Sequence, residues 1–535
     1  MINLKKIFVL WIWLSLSVVF ALAEGEINQS KFNPMETLSS DVSRYTPPEP
    51  VEFIAEFEPM QGVLIRYPLG VPYSLIKSLS ETTTLYILIG NSNIKEQAVN
   101  FFQANGVNLE NCEFIVTPTD SYWTRDYSPW FIRTGAELAM VDFNYNRPRP
   151  NDNRIPKFAG GYFGLDVYDL NLYHTGGNMM VDGMGKGAST DLVLKENANF
   201  TKEEIELRMK TYLGIEEYFL YPEPTGSPIE HIDTWAKFIG VDKLMIRSVP
   251  PTHPKYEKIE GAVNYFSQQI SSYGTPYQIF RVNTSLNEPY ANSLIVNDKV
   301  YVPQMNTLND KGALDAFKEA MPGYEVIGFT GTWLSDDALH CRTYGIPDLS
   351  MIHISHVPLP DYSEHTAIPI QAKFVSYSGA SLQEESLKLY WKTDESQMYS
   401  EVTFTSSEDN YYQAFIPAQE STVEISYYLS GSNELGKTAY LPLVKDKDPF
   451  RVKIKQMLPL QSPENVAIQF VEEKIILSWD LVPEASSYKV EFSTNISDFT
   501  NVMTEIGQFR EDNGRIYWET APEGKIGFYR IIAVK

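Results

Sequence analysis

Cysteine is scarce: the chain of 535 residues holds two, Cys112 and Cys341. A pair so far apart is a weak basis for a disulfide, and a chain of this length builds its core without staples. The question is whether either thiol sits in a chemical setting. Positive charge is also in deficit, with 44 Lys and Arg against 68 Asp and Glu, for a formal net charge of -24. That excludes the basic face a nucleic-acid binder needs. It favours solubility and would draw in cationic substrates. Histidine numbers only 7; His353 and His356 lie close together but come without a third ligand, so neither a metal nor a cofactor is expected. Long apolar runs are missing beyond the N-terminus, which predicts no membrane span there. At the N-terminus itself, Lys5 and Lys6 precede an apolar stretch, and Ala21-Leu22-Ala23 offers a small-residue cleavage site before Glu24. This is the pattern of a secretory signal peptide over 1–23, which predicts a secreted or cell-surface protein.

What is present divides the chain. Residues 24–50 are polar and carry Pro47, Pro48 and Pro50, as a lead-in would. From 51 to 357 short apolar strands alternate with amphipathic helices, the pattern of an α/β domain. Strands are expected at 63–67, 84–89, 113–117, 139–145, 243–248, 278–282, 293–303 and 325–329. Helices are expected at 72–81, 94–105, 202–213, 255–273 and 311–320, the last capped by Asn309 or Asp310. Helical periodicity then stops. Period-two runs over 364–456 predict a small antiparallel sandwich. A Pro-bearing linker leads to a last block, 463–535, where Trp479, Tyr488 and Tyr529 sit on spaced strands, as in a fibronectin type III module.

Within the α/β region several motifs have the chemistry to attack a guanidinium. That group is charged, delocalised and hydrated. It needs carboxylates to hold it, a soft nucleophile for its carbon and an acid/base for departing ammonia. Trp123-Thr124-Arg125-Asp126 places a carboxylate beside Trp123 and Trp130, a setting for a planar cation or for a plain Arg125–Asp126 ion pair. His231-Ile232-Asp233, read as extended, puts an imidazole and a carboxylate on one face. His340-Cys341-Arg342 surrounds a thiol with polar and basic residues, unlike a core cysteine. Opposite-facing neighbours on a strand make His340 a poor base for Cys341 and His231 a better one. Cys112 reads as the start of a core strand. Asn146-Arg147-Pro148-Arg149-Pro150 is stiffened by its prolines, so Arg147 and Arg149 can converge on one anion or form a solvated basic loop. His174-Thr175-Gly176-Gly177-Asn178 is a turn whose glycines permit close backbone approach.

Taken in order with Tyr290-Ala291-Asn292-Ser293 and Leu339-His340-Cys341-Arg342-Thr343, these segments resemble the agmatine deiminase family of the pentein superfamily. The closest likeness is to the bacterial Porphyromonas-type peptidylarginine deiminases, over about 53–356. The resemblance implies a five-fold pseudosymmetric α/β propeller followed by an Ig-like sandwich. It also implies roles: Cys341 as nucleophile, His231 as acid/base, Asp126 and Asp233 as guanidinium holders, and Asn292 as orienting residue. Arg147 and Arg149 would take the free carboxylate of a C-terminal arginine, with Trp123 and Ile229 lining the pocket. The expected function is then hydrolysis of arginine in peptides or proteins to citrulline and ammonia. Three alternatives stay open: a deiminase of free agmatine or arginine, a Cys-His protease, and an inactive surface-binding protein.

Overall fold

The computed structural model describes residues 46–534 apart from 136, 362–365, 408–409, 420–421, 455–459, 497–502, 506–508 and 522–526. The expected signal peptide, most of the lead-in and part of the Pro-bearing linker before the last block lie outside the described residues.

Five small sheets make up the α/β region. Each contains the same unit, read along the chain as a short strand, an antiparallel strand, a helix, and a strand parallel to the second. In the second sheet of the chain these are Trp130–Thr134, Glu137–Tyr145, helix Ile155–Phe163 and Val167–His174. The third runs Met180–Val181, Lys186–Thr190, helix Lys202–Leu213 and Glu217–Tyr221. The fourth runs Ala236–Phe238, Lys243–Ser248, helix Tyr256–Ser267 and Gln278–Asn283. The fifth runs Leu294–Val296, Lys299–Gln304, helix Asp310–Ala320 and Glu325–Thr330. The first sheet joins Met60–Tyr67 and Thr84–Ile89 through helix Tyr73–Ser80, but takes its short strand, Tyr344–Pro347, from the far end of the region. Parallel pairs need a crossover, and a helix over the sheet face supplies it. Buried Leu, Ile, Val and aromatic side chains fill the space between each sheet and its helix.

Two expectations change. The run 293–303 is a hairpin rather than one strand, because Asn297 adopts the left-handed conformation a tight turn needs (φ 53°). The helix expected over 255–273 spans Tyr256–Ser267.

After the α/β region come two strand-rich regions. In the first, a sheet of Ile352–Ser355, Ile368–Ser376, Thr405–Ser406 and Tyr411–Ile416 shares one core with a sheet built on Lys388–Thr393 and Val423–Ser432. Strand Ile352–Ser355, inside the span expected for the α/β domain, pairs with Ile368–Ser376. The α/β region and this one touch: Lys243 Nζ pairs with Asp448 Oδ2 at 2.9 Å, and Tyr273 meets Phe450 edge-on. The last region closes two small sheets around Trp479, Tyr488, Ile516 and Trp518. No helix among the described residues is long and apolar enough to cross a membrane.

Candidate active site

Five chain segments lead into the five short strands, and they meet in one place. Asp126 lies shortly before Trp130–Thr134, Gly177 just before Met180–Val181, and His231 and Asp233 just before Ala236–Phe238. Asn292 stands before Leu294–Val296 and Cys341 before Tyr344–Pro347. The repeated unit therefore delivers each motif to an equivalent position.

Local chemistry shapes each segment. Asp126 sits in a one-turn helix, Thr124–Tyr127, that Ser128-Pro129 terminates. Thr124 Oγ1 ties it to the Leu64 carbonyl at 3.2 Å. His231 is extended, but Ile232–Thr234 forms a 3-10 turn, so the expected extended run does not exist. Glu230, ahead of it, has φ 54°, a strained conformation for a residue with a side chain. Asn178 holds this segment in place: its Oδ1 accepts from Ile232 N at 3.1 Å and from Thr190 N at 3.0 Å.

Gly177 marks the convergence. A Cβ there would stand 2.7 Å from His231 Nδ1, 2.8 Å from Asp126 Oδ1 and 3.2 Å from Asp233 Oδ2. All of these side chains are buried. Asn292 grips the thiol segment from both ends of its amide: Nδ2 lies 3.2 Å from Cys341 Sγ and Oδ1 accepts from Cys341 N at 3.2 Å. Cys341 Sγ also lies 3.6 Å from Asp233 Oδ2. Cys112 begins strand Cys112–Val116, as expected; it is half-buried, and burial pushes its thiol up to about 11. Both cysteines are free.

Burial and the two carboxylates set the electrostatics of the cluster. Burial, then the charge of Asp233, pushes Asp126 up to about 7. Burial, then Asp233 and Asp126, raises the Cys341 thiol well above its ordinary value. Burial lowers His231 to about 4, so its ring is neutral near pH 7. Asp126 Oδ1, Asp233 Oδ1 and both His231 ring nitrogens have no hydrogen-bond partner. Buried polar atoms left unpaired cost free energy, and a ligand with several N–H donors removes that cost.

Other expected residues have mixed positions. Arg149 stacks on Trp123, 4.3 Å from its ring centre, and donates to Tyr145 Oη at 2.8 Å. The charge of Arg147 acts on both Asp126 and His231. Ile229 is half-buried, two residues before His231. Trp130 does not flank Asp126 as a cation platform; it is core, packed on Phe53, Phe143 and His174. His353 and His356 face different surroundings, His353 near Glu52 and Glu58 and His356 bonded to Tyr427 Oη at 2.9 Å. Among the described residues no group of His, Cys, Asp or Glu is arranged to hold a metal ion.

Sequence reasoning missed two members. His340 is not on a strand; it lies in a turn, and its Nδ1 bonds Asp233 Oδ2 at 2.7 Å. Its Nε2 bonds Glu56 Oε2, also at 2.7 Å. Glu56 carried no local signal, since its partners are distant in sequence.

Known proteins share this organisation. A protein of Streptococcus mutans provisionally named agmatine deiminase is 26% identical over 285 residues, covering 44% of this chain and 77% of the relative. A Vibrio parahaemolyticus protein of the same provisional name is 23% identical, over 55% of this chain and 96% of its own length. The solved agmatine deiminase of Enterococcus faecalis shares the fold, with a TM-score of 0.51 and 19% identity over 57% of this chain and 98% of that one. A model of the Porphyromonas-type peptidyl-arginine deiminases matches residues 52–347, the whole of the five-sheet region. The chain belongs to this family of guanidino-modifying deiminases.

Proposed function

We propose that the protein is an exported peptidylarginine deiminase that prefers arginine at a peptide's C-terminus. The observation that carries the reading is a set of buried atoms without a hydrogen-bond partner, Asp126 Oδ1, Asp233 Oδ1 and the two ring nitrogens of His231, of which Asp126 Oδ1 and His231 Nδ1 meet beside Gly177. A guanidinium is planar, cationic and rich in N–H donors, so it answers the charge and the free acceptors, namely the carboxylate oxygens and the one His231 nitrogen that carries no hydrogen.

In this reading Asp126 and Asp233 hold the guanidinium, with Trp123 and Ile229 lining the way in. Burial and the carboxylate charge keep the Cys341 thiol protonated, and the bound cation offsets the second of these. Neutral His231 takes the thiol proton, and the sulfur attacks the guanidinium carbon. The C–S bond forms, a C–N bond breaks, and His231 passes its proton to the departing ammonia. His231 then takes a proton from water; the hydroxide attacks the same carbon, the C–S bond breaks, and the thiol recovers its proton. Arginine becomes citrulline, and the proton released leaves as ammonium. Asn292 orients sulfur throughout.

We further assign the five repeated sheets to a pseudosymmetric propeller, the region after them to an Ig-like domain, and the last region to a fibronectin type III-like domain. The basic and apolar start of the chain supports export. Arg147 and Arg149 sit in a Pro-stiffened segment beside Trp123, and a substrate cation would be repelled by them. They suit the far end of the substrate, where a free carboxylate lies. Deimination of agmatine is the second reading, favoured by the names of the two curated relatives.

The decisive measurement is kcat/KM for one peptide ending in free arginine, for its C-terminal amide, and for agmatine. A lost charge-assisted contact costs about 1.5–3 kcal/mol, so the free acid should win by roughly ten- to a hundred-fold. Arg147→Ala should narrow the gap without stopping turnover, whereas Cys341→Ala should stop it. Equal values for acid and amide would remove the carboxylate clamp, and faster turnover of agmatine would favour the second reading.

A further inference from the structure

Beneath the cluster, one carboxylate is wired to four of the five segments. Glu56 Oε2 accepts from Arg125 Nη2 at 2.6 Å and from His340 Nε2 at 2.7 Å. Its Oε1 accepts from Lys237 Nζ at 2.8 Å and from Ile295 N at 2.9 Å. Arg125 neighbours Asp126, Lys237 follows the Asp233 turn, Ile295 follows Asn292, and His340 precedes Cys341. Backbone bonds close the same circuit: Arg125 N donates to Cys341 O at 3.2 Å, and His340 N to Asn292 O at 3.0 Å.

The His340 ring has a carboxylate oxygen 2.7 Å from each nitrogen, Asp233 on one side and Glu56 on the other. An ionised carboxylate offers only acceptors, so each nitrogen must carry hydrogen. We propose that His340, hydrogen-bonded on both sides between Glu56 and Asp233, is a positioning residue that keeps Asp233 ionised and fixes its orientation towards the guanidinium. The proposal deepens the deiminase reading and rests on it. His340 does not touch the substrate; it acts through Asp233.

The surroundings of Asp233 agree. Burial alone would raise its carboxyl, but the hydrogen bond and charge of His340, followed by His231 and Lys237, outweigh burial and hold it below the ordinary range. Asp126 and the Cys341 thiol face it from two other segments, and Arg125 adds its charge through Glu56. Burial would also raise Glu56, yet Lys237, His340 and Arg125 together hold it well below its usual value. Asp126 has no such cation beneath it and sits near 7. The two carboxylates are thus set apart, Asp233 drawn towards its ionised form and Asp126 towards its neutral one.

The test is the acid limb of kcat/KM for ammonia release by the full chain, with an arginine-terminated peptide and with agmatine, from about pH 5 to about pH 8. In the wild type the limb should follow Asp126, giving a one-proton slope below about pH 7. His340→Asn keeps a donor facing Asp233 but no charge. It should steepen the limb towards a two-proton slope while leaving the alkaline plateau within roughly ten-fold. A lowered plateau with an unchanged slope would make His340 a packing residue and overturn the proposal. So would a two-proton slope in the wild type, which decides the matter alone if His340→Asn does not fold. A wild-type protein releasing no ammonia from either substrate would instead sink the deiminase reading, and this assignment with it.

Discussion

At the scale of single residues, Gly177 is the position on which three side chains of the cluster close in. No side chain fits there, because its Cβ would fall against His231, Asp126 and Asp233 at once. Gly177→Ala should therefore displace the groups proposed to meet the guanidinium. A misplacement of about an ångström costs roughly a hundred-fold in rate, which kcat/KM would read directly. A near-normal Gly177→Ala enzyme would mean that these side chains do not act on the substrate together. Asp126 links the site to stability. Its folded-state carboxyl lies near 7, above the ordinary value, so its stabilising share is complete at low pH and is lost as pH rises through about 7. Ionising it without a partner costs on the order of a few kcal/mol. A guanidinium supplies the partner. In the Cys341→Ala protein, the rise in Tm on adding an arginine-terminated peptide should be larger at about pH 8 than at about pH 5. An equal or smaller rise at the higher pH would contradict the shift.

At the scale of elements, helix Lys202–Leu213 has a capping box: Thr201 accepts from Glu204 N, and the Glu204 side chain accepts from Thr201 N. Thr201→Ala should lower unfolding stability by about 1 kcal/mol in urea titrations. Because this helix lies outside the cluster, kcat/KM should not move; a fall in it would show the helix reporting to the site. This helix was legible because its cap, its Glu-rich first turn and Gly214 mark both ends. Strands 84–89 and 243–248 were legible as apolar runs between turn residues. Helix Ile155–Phe163 was not, since Pro156, Gly160 and Gly161 imitate a loop; Pro156 is tolerated in the first turn, and Gly160 lets Val167 pack closely. The site was legible as motifs, but its geometry was not. The spacing of His231 and Asp233 suits an extended run, and a 3-10 turn brings both to the cluster instead. Glu56 and His340 are 284 positions apart, so nothing local announces their bond.

At the scale of the whole molecule, strand Ile352–Ser355 joins the five-sheet region to the strand-rich region beside it. Ile352 and Ile354 are 2% and 6% exposed, buried in the core of that second region. A chain cut after residue 357 would expose both and lose the Lys243–Asp448 pair, so it should aggregate or melt early. A chain cut after residue 460 should keep kcat/KM within about two-fold. A soluble, fully active shorter fragment would show that the second region is dispensable. The first sheet carries a different consequence. Its short strand, Tyr344–Pro347, pairs with Met60–Tyr67, although almost the entire five-sheet region separates them in sequence. Cys341 lies at the threshold of that strand, so the thiol is among the last parts of this region to leave the ribosome. It reaches its partners only when head and tail of the region pair, a contact of high order that closes slowly. Incomplete chains carry Asp126, His231 and Asp233 but lack the Cys341 thiol, and complete but unclosed chains hold that thiol out of reach. Closure of the fold is therefore also the step that assembles the cluster around Cys341.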